Sequence, residues 1–243
     1  MTINRAEIFF ADKAILIEGD TERILLPTLM RKFDIDEEKK HSELGTKDEF
    51  LPLLSQNISI IEVGAYSHIF EKFIDFIDTK TLIVTDLDTT GADGKKCEPS
   101  IGVGYSNDAL TFFFNTPTLA VLKSNTISNK TFSKTAGVWT SSATGRLCVV
   151  YQILEAGFIA RSFEDSFIHL NRNFITPLKV DFKGLQNRAD FDDATLNAYA
   201  LADNCIKKKT HFALDILYHS NQDFSNWEIP NYIKEGLSWL KLD

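Results

Sequence analysis

Short apolar runs alternate with helical spacings through the first half of the chain. Lys13 to Ile17 (KAILI) has the continuous apolar character of a strand buried on both faces, and Thr21 to Phe33 (TERILLPTLMRKF) is predicted to be the helix that follows, weakened locally by Pro27. The polar stretch from Asp34 to Asp48 is expected to be a loop or insertion. Ile58 to Val63 (ISIIEV) is a second strand, Ser67 to Ile77 (SHIFEKFIDFI) a second helix, and Thr81 to Thr85 (TLIVT) a third strand that runs directly into Asp86-Leu87-Asp88. Glycine and polar residues dominate from Thr89 to Asn107, which predicts a long loop. Thr116-Pro117 carries the cap-then-proline signature of a helix start. Leu147 to Gln152 (LCVVYQ) is a fourth strand. After Ser162 the pattern turns helical, near Ser162 to Asn171, Lys207 to Tyr218 and Asn231 to Leu240.

Strands alternating with helices predict an α/β fold with a mostly parallel sheet flanked by helices, followed by a helical extension. The chain divides on this reading into a core at 1–155 and an extension at 156–243. In such sheets ligands bind at the C-terminal edge of the strands. Glu18 ends the first strand, Glu22 falls in the first turn of the next helix, and Asp86 and Asp88 end the third strand. Four carboxylates at one edge repel one another unless a cation lies among them, and oxygen donors of this kind select Mg²⁺ or Mn²⁺. Each motif alone has a plainer explanation, since Asp20 or Glu22 can cap a helix and an Asp can simply end a strand in a turn. Their combination is what points to chemistry.

Composition changes the picture in a few respects. The 243 residues carry a net charge of −8, which argues against a general polyanion binder, although two bound divalent cations would offset about four of those negative charges. Cys97, Cys148 and Cys205 lack metal-ligand spacing and are expected to be free thiols. No run approaches the roughly 20 apolar residues of a membrane span. The N-terminus MTINRAEIFF has no signal-peptide pattern, so the cytoplasm is the expected compartment. GADGKKC, from Gly91 to Cys97, is superficially like a phosphate loop but lacks its spacing and its Ser or Thr, so no nucleotide site is expected. The histidines and tryptophans are scattered and are read as packing or surface residues, and nothing around Tyr66 or Tyr105 marks a covalent nucleophile.

The pairing of LIEGDTE (Leu16 to Glu22) with VTDLD (Val84 to Asp88) resembles the Toprim domain, the metal-binding module of topoisomerases, bacterial primases and several nucleases. The resemblance implies that Glu18, Glu22, Asp86 and Asp88 are metal ligands or catalytic acids. With EVGAYSHIF (Glu62 to Phe70), ARSFEDSF (Ala160 to Phe167) and KKTHFALDILY (Lys208 to Tyr218), the chain also resembles the C-terminal region of OLD-family nucleases, the group that includes Gabija-type phage-defence nucleases. This resemblance runs from Glu7 to the YIKEGLSWL end. Ala65 stands where the family often has a second glycine, a difference that concerns backbone packing. The resemblance implies that Ser162 and Glu164 add metal ligands and that a lysine stabilises charge in the transition state; Lys209, three residues before the phenylalanine of THFAL, is the choice for it, with Lys208 the alternative. Ser162-Phe-Glu-Asp165 is also a helix capping box, and the two roles are compatible. A lysine run is more often a solvated face, but at a helix start it opposes the helix dipole, which hints at function.

The implied activity is a divalent-metal-dependent DNA endonuclease or nickase using two Mg²⁺ or Mn²⁺ ions and water as nucleophile. Two alternatives use the same acids, namely Toprim primase-like nucleotidyl transfer and a non-catalytic, metal-regulated assembly module. A small-phosphate hydrolase ranks behind these. The implied partners are DNA, an N-terminal ABC-type ATPase region that this chain does not contain, and a second copy of the chain, with dimerisation open to dependence on the ATPase. Because Met1 directly precedes sequence that resembles the middle of OLD-family proteins, an excised C-terminal half is expected rather than a stand-alone relative.

Overall fold

The structure, a computed structural model, describes residues 10–241; Glu7, where the resemblance begins, and the rest of the MTINRAEIF segment lie outside the described residues. Six strands form the main sheet: β1 (Lys13–Ile17), β2 (Ile58–Glu62), β3 (Lys80–Val84), β4 (Thr131–Thr135), β5 (Val138–Ser141) and β6 (Leu147–Val150). Their order is β2-β1-β3-β6-β4-β5. The first four in that order are parallel, and β4 and β5 add an antiparallel edge. The mostly parallel sheet expected from the alternation is therefore present. Between β1 and β2 the chain goes to one side of β1, and for β3 it crosses to the other. The C-terminal ends of β1 and β3 consequently flank a topological switch point, where open α/β sheets leave a crevice.

Among the described residues eight α-helices accompany the sheet: α1 (Asp20–Leu44), α2 (Glu71–Ile77), α3 (Asp108–Phe113), α4 (Leu119–Ser124), α5 (Phe163–Leu178), α6 (Ala198–Cys205), α7 (Lys209–His219) and α8 (Asn231–Lys241). Alternate strand residues enter two apolar clusters. Ile15, Ile17, Leu82, Val84, Cys148 and Val150 face α1 and α5 to α8, whereas Ala14, Leu16, Ile83, Leu147 and Val149 face α2, α3 and α4. This accounts for the unbroken hydrophobicity of the central strands. The helices beyond residue 156 share their cluster with the sheet. At Gly236 of α8 an added Cβ would lie 2.9 Å from a Leu82 methyl, so the extension is packed directly on β3.

Several elements differ from the sequence expectation. The stretch from Asp34 to Asp48 is not a loop through most of its length, because α1 continues unbroken through Pro27 to Leu44. Pairs at helical spacing support it, Lys32 with Asp36 at 3.2 Å and Lys40 with Glu37 at 2.6 Å, until Gly45 ends the helix at φ 72°. The second helix begins as a 3-10 stretch at Gly64–Phe70 and becomes α-helical only at Glu71. Thr116-Pro117 does not start a helix. Thr116 is left-handed and its N–H bonds Thr111 O at 2.8 Å, closing α3, so Thr118 caps α4 instead. The β4–β5 hairpin, α3 and α6 were not foreseen. Among the described residues no helix is long and apolar enough to cross a membrane, and all three cysteines are free.

Candidate active site

The strand register determines which side chains meet at the switch point. Ile17 pairs with Val84 and Val84 with Val150, so one step further Glu18 lies beside Thr85, and two steps further Asp86 lies beside Gln152. The hydrogen bonds follow that register. Thr85 Oγ1 donates to Glu18 Oε1, and Gln152 Nε2 donates to Asp86 Oδ1 at 2.7 Å while its Oε1 accepts the Leu87 N–H at 2.7 Å. Asn107, buried at the N-cap of α3, donates to Glu18 Oε1 (3.0 Å), Thr85 Oγ1 (2.7 Å) and the Asp86 carbonyl (2.8 Å). A single amide thus ties the ends of β1 and β3 together.

Helix starts supply the remaining residues. Gly19 is the N-cap of α1 and no side chain caps there, so neither Asp20 nor Glu22 is consumed as a cap. Asp20 turns outward to Arg23, and Glu22 is buried. Ser162 caps α5 in the expected capping box, its Oγ donating to Asp165 Oδ1 at 2.7 Å. That bond uses the Ser162 proton and leaves its oxygen able to accept or ligate. The Phe163 N–H in the same turn donates to Asp86 Oδ1 at 3.0 Å, which joins α5 to β3. Glu164 is buried and splits its oxygens between Thr21 Oγ1 (3.0 Å) and Lys209 Nζ (2.9 Å).

Lys209 opens α7, and Lys208 is its N-cap. Gly184 fixes this start. Its carbonyl accepts the N–H groups of Lys207 (2.8 Å) and Lys208 (3.3 Å), and its own N–H donates to Asp215 at 2.7 Å. A Cβ at Gly184 would lie 2.3 Å from Phe212 N. Only a residue without a side chain permits this approach.

Electrostatics connect these groups. Burial, then repulsion from Glu164 and Glu18, pushes the Glu22 carboxyl up to about 7. Burial, reinforced by Glu18, Glu22, Glu164 and Asp88, holds Asp86 well above the usual carboxylate range. Glu18 is also raised, chiefly by burial and also by Asp88, although the bonds from Thr85 and Asn107 pull it back. Partial burial works against charge on Lys209, but Glu164, Asp86 and Glu22 outweigh it and raise its pKa.

The structure distributes the predicted residues over two adjoining cavities. Glu18, Glu22, Asp86, Lys208 and Lys209 line one of about 490 Å³, and Ser162, Glu164 and Lys209 line the next, of about 330 Å³. Lys209 belongs to both. Asp88 lines neither; it is left-handed at φ 49° and ion-paired to Arg161 at 2.6 Å. Among the described residues no three His, Cys, Asp or Glu side chains are arranged to hold a metal as they stand. Protein donors occupy them instead, Lys209 on Glu164, Arg161 on Asp88, Asn107 on Glu18 and Gln152 on Asp86. The donor set itself, oxygen-only and mutually repelling, suits a hard divalent cation. Sequence reasoning missed Asn107, Gln152 and Arg161, although Gln152 ends a parallel strand at the same edge and was open to the same argument as Asp86.

Comparison with known proteins gives this arrangement relatives. Residues 9–88 match the family described as Overcoming lysogenization defect protein-like, TOPRIM domain. The Endonuclease GajA of Bacillus cereus (strain HuB5-5) is 26% identical over 253 residues, covering 97% of this chain and 32% of that protein. The chain therefore spans about a third of the length of this curated relative. The C-terminal region of the Burkholderia pseudomallei OLD protein is 19% identical with a TM-score of 0.50, over 95% of this chain and 97% of that one, a likeness of fold.

Proposed function

We propose that the chain, whose residues 9–88 match the OLD-like Toprim family, is a divalent-metal-dependent DNA endonuclease or nickase, the nuclease part of an OLD-family, ATP-dependent nuclease. The observation that carries this reading is the convergence of Glu18, Glu22, Asp86 and Glu164, with Asp88 close by, at a sheet switch point against one lysine. The buried acids oppose one another's ionisation. A structural cluster gains nothing from that repulsion, whereas a cation-binding cluster needs it.

Glu18, Glu22, Asp86, Asp88 and Glu164 would hold Mg²⁺ or Mn²⁺, with Ser162 supporting through the oxygen lone pair that the capping box leaves unused. When bound, two such ions supply an activated water and stabilise the leaving oxygen of an in-line phosphoryl displacement. The protein's own residues do the remainder. Asn107 and Gln152 hold Glu18 and Asp86 at fixed positions along the sheet edge. Lys209, held by Glu164, lines the acidic cleft, where its ammonium can meet negative charge on a phosphoryl oxygen. Lys208 lines the same cleft but has no ion pair with the acids among the described residues, which favours Lys209 for this role.

Supercoiled plasmid incubated with Mg²⁺, Mn²⁺ or EDTA tests the proposal. Wild type should nick in a metal-dependent manner, and Glu22→Ala and Asp86→Ala should each lose about 10²–10³-fold in rate, the scale for removing a preorganised charge-stabilising group. Equal nicking by all three proteins would contradict the assignment. Template-directed incorporation of nucleotides in place of nicking would move the site to nucleotidyl transfer.

A further inference from the structure

The cavity of about 330 Å³ beyond Lys209 differs in character from the acidic cleft it adjoins. Three cations from three separate elements line it: Lys96 from the loop after β3, Arg161 just ahead of α5, and Lys209 at the start of α7, with the ring of Tyr199 on α6. Its acids are already engaged. Asp165 accepts the Arg161 and Ser162 N–H groups at 2.7 Å each, Glu164 is held by Thr21 and Lys209, and Asp203 pairs with Lys96.

Lys96 belongs to GADGKKC, the sequence that lacks phosphate-loop spacing and to which the proposed chemistry gives no role. The segment folds back on itself: Thr90 bridges Lys96, Gly91 N–H bonds Lys95 O at 2.8 Å, and Cys97 N–H bonds Thr89 O at 3.1 Å. It is then tied to the start of α6 by Asn197 Nδ2 on Glu98 at 2.7 Å. The cavity is thereby built in advance of any ligand. Both partners of the Lys96–Asp203 pair are open to solvent, with side chains 58% and 42% exposed, and a pair so exposed is readily exchanged for another anion. Arg161 spends Nε on Thr89 O and one terminal nitrogen on Asp88, and the guanidinium retains further donors for a planar or tetrahedral oxyanion.

We propose that this cavity seats the nucleotide next to the scissile bond, its phosphate on Lys96 and Arg161 and its base against Tyr199. The inference takes its ligand class, a DNA strand, from the nuclease reading. Its volume lies at the lower end of the range for small-molecule sites, the scale of one nucleotide unit rather than a duplex. The acidic cleft on the other side of Lys209 would then hold the bond to be cut.

Binding of a short fluorescein-labelled DNA single strand, followed by anisotropy in Ca²⁺ at several salt concentrations, tests this without relying on turnover. Lys96→Ala and Tyr199→Ala should each weaken binding about 5–20-fold, as loss of a phosphate contact or a stacking platform does. Lys96→Ala should also reduce the salt slope by about one, Tyr199→Ala should leave it unchanged, and Lys96→Arg should restore affinity. Lys47→Ala, on the surface away from both cavities, is the control. Wild-type affinity in Lys96→Ala and Tyr199→Ala, or a loss no larger than in Lys47→Ala, would overturn the inference. Weakened binding by these variants together with no plasmid cleavage by wild type would uphold the cavity and reject the nuclease reading. Normal cleavage with unaffected binding would do the reverse.

Discussion

Glu22 shows most clearly what the fold tolerates to keep this site. A carboxyl normally titrating near 4.5 that titrates at about 7 in the folded chain binds its proton more tightly there than in the unfolded chain. The stability associated with that proton is fully present below pH 4.5 and lost as pH rises through 7, a cost of about 3 kcal/mol by linkage. Glu22→Gln, which mimics the protonated form, should therefore raise the melting temperature at pH 8 and leave it unchanged at pH 4. Differential scanning fluorimetry across that range would check it, and a variant less stable than wild type at pH 8 would refute it. Glu22 and Asp86 could be chosen from sequence because their motifs are local and compact. Asn107 was not visible, since it reaches Glu18 across 89 residues of chain; Gln152 was open to the strand-end argument, but its pairing with Asp86, 66 residues away, follows only from the strand register. Ser162 was legible twice over, as a cap and as a candidate ligand. The capping box is formed, and its geometry leaves the second role open.

At the scale of elements, the strands with continuous apolar character, β1, β3 and β6, were read within a residue or two of their ladders because burial on both faces leaves no polar positions. The β4–β5 hairpin escaped because TFSKT and VWTS mix polar and apolar residues at an exposed edge. The long continuation of α1 escaped because its charged residues suggested a loop, whereas their spacing builds ion pairs along a helix. Placement of α7 depends on backbone contact rather than on any side-chain pattern. Gly184→Ala should push Phe212 and the start of α7 outward, lowering stability by about 1–3 kcal/mol as overpacking does and the melting temperature by several degrees. Because Lys209 begins α7, nicking should fall further than the lost stability explains. Activity assayed well below the melting transition would separate the two effects, and full activity there would show that Lys209 does not depend on this contact.

For the whole molecule, the acidic balance and the proposed polyanion substrate are reconciled by position. The chain carries a net charge of −8, while Lys96, Arg161 and Lys209 converge beside the acid cluster. The alternation of strands and helices was sufficient to read the mostly parallel sheet, and the rule that ligands bind at strand C-termini pointed to the edge where the acids lie. Sequence could not reveal that protein donors now engage the acids one by one, with Lys209 on Glu164 and Arg161 on Asp88. Divalent cations, to bind as proposed, would have to displace some of these partners. The most direct test of the central claim is a calorimetric titration of the wild-type chain and Asp86→Asn with Mn²⁺ near pH 7.5. Saturable binding by wild type, lost in Asp86→Asn with the fold intact, is the expected result. Absence of binding by wild type, or equal binding by the variant, would contradict it.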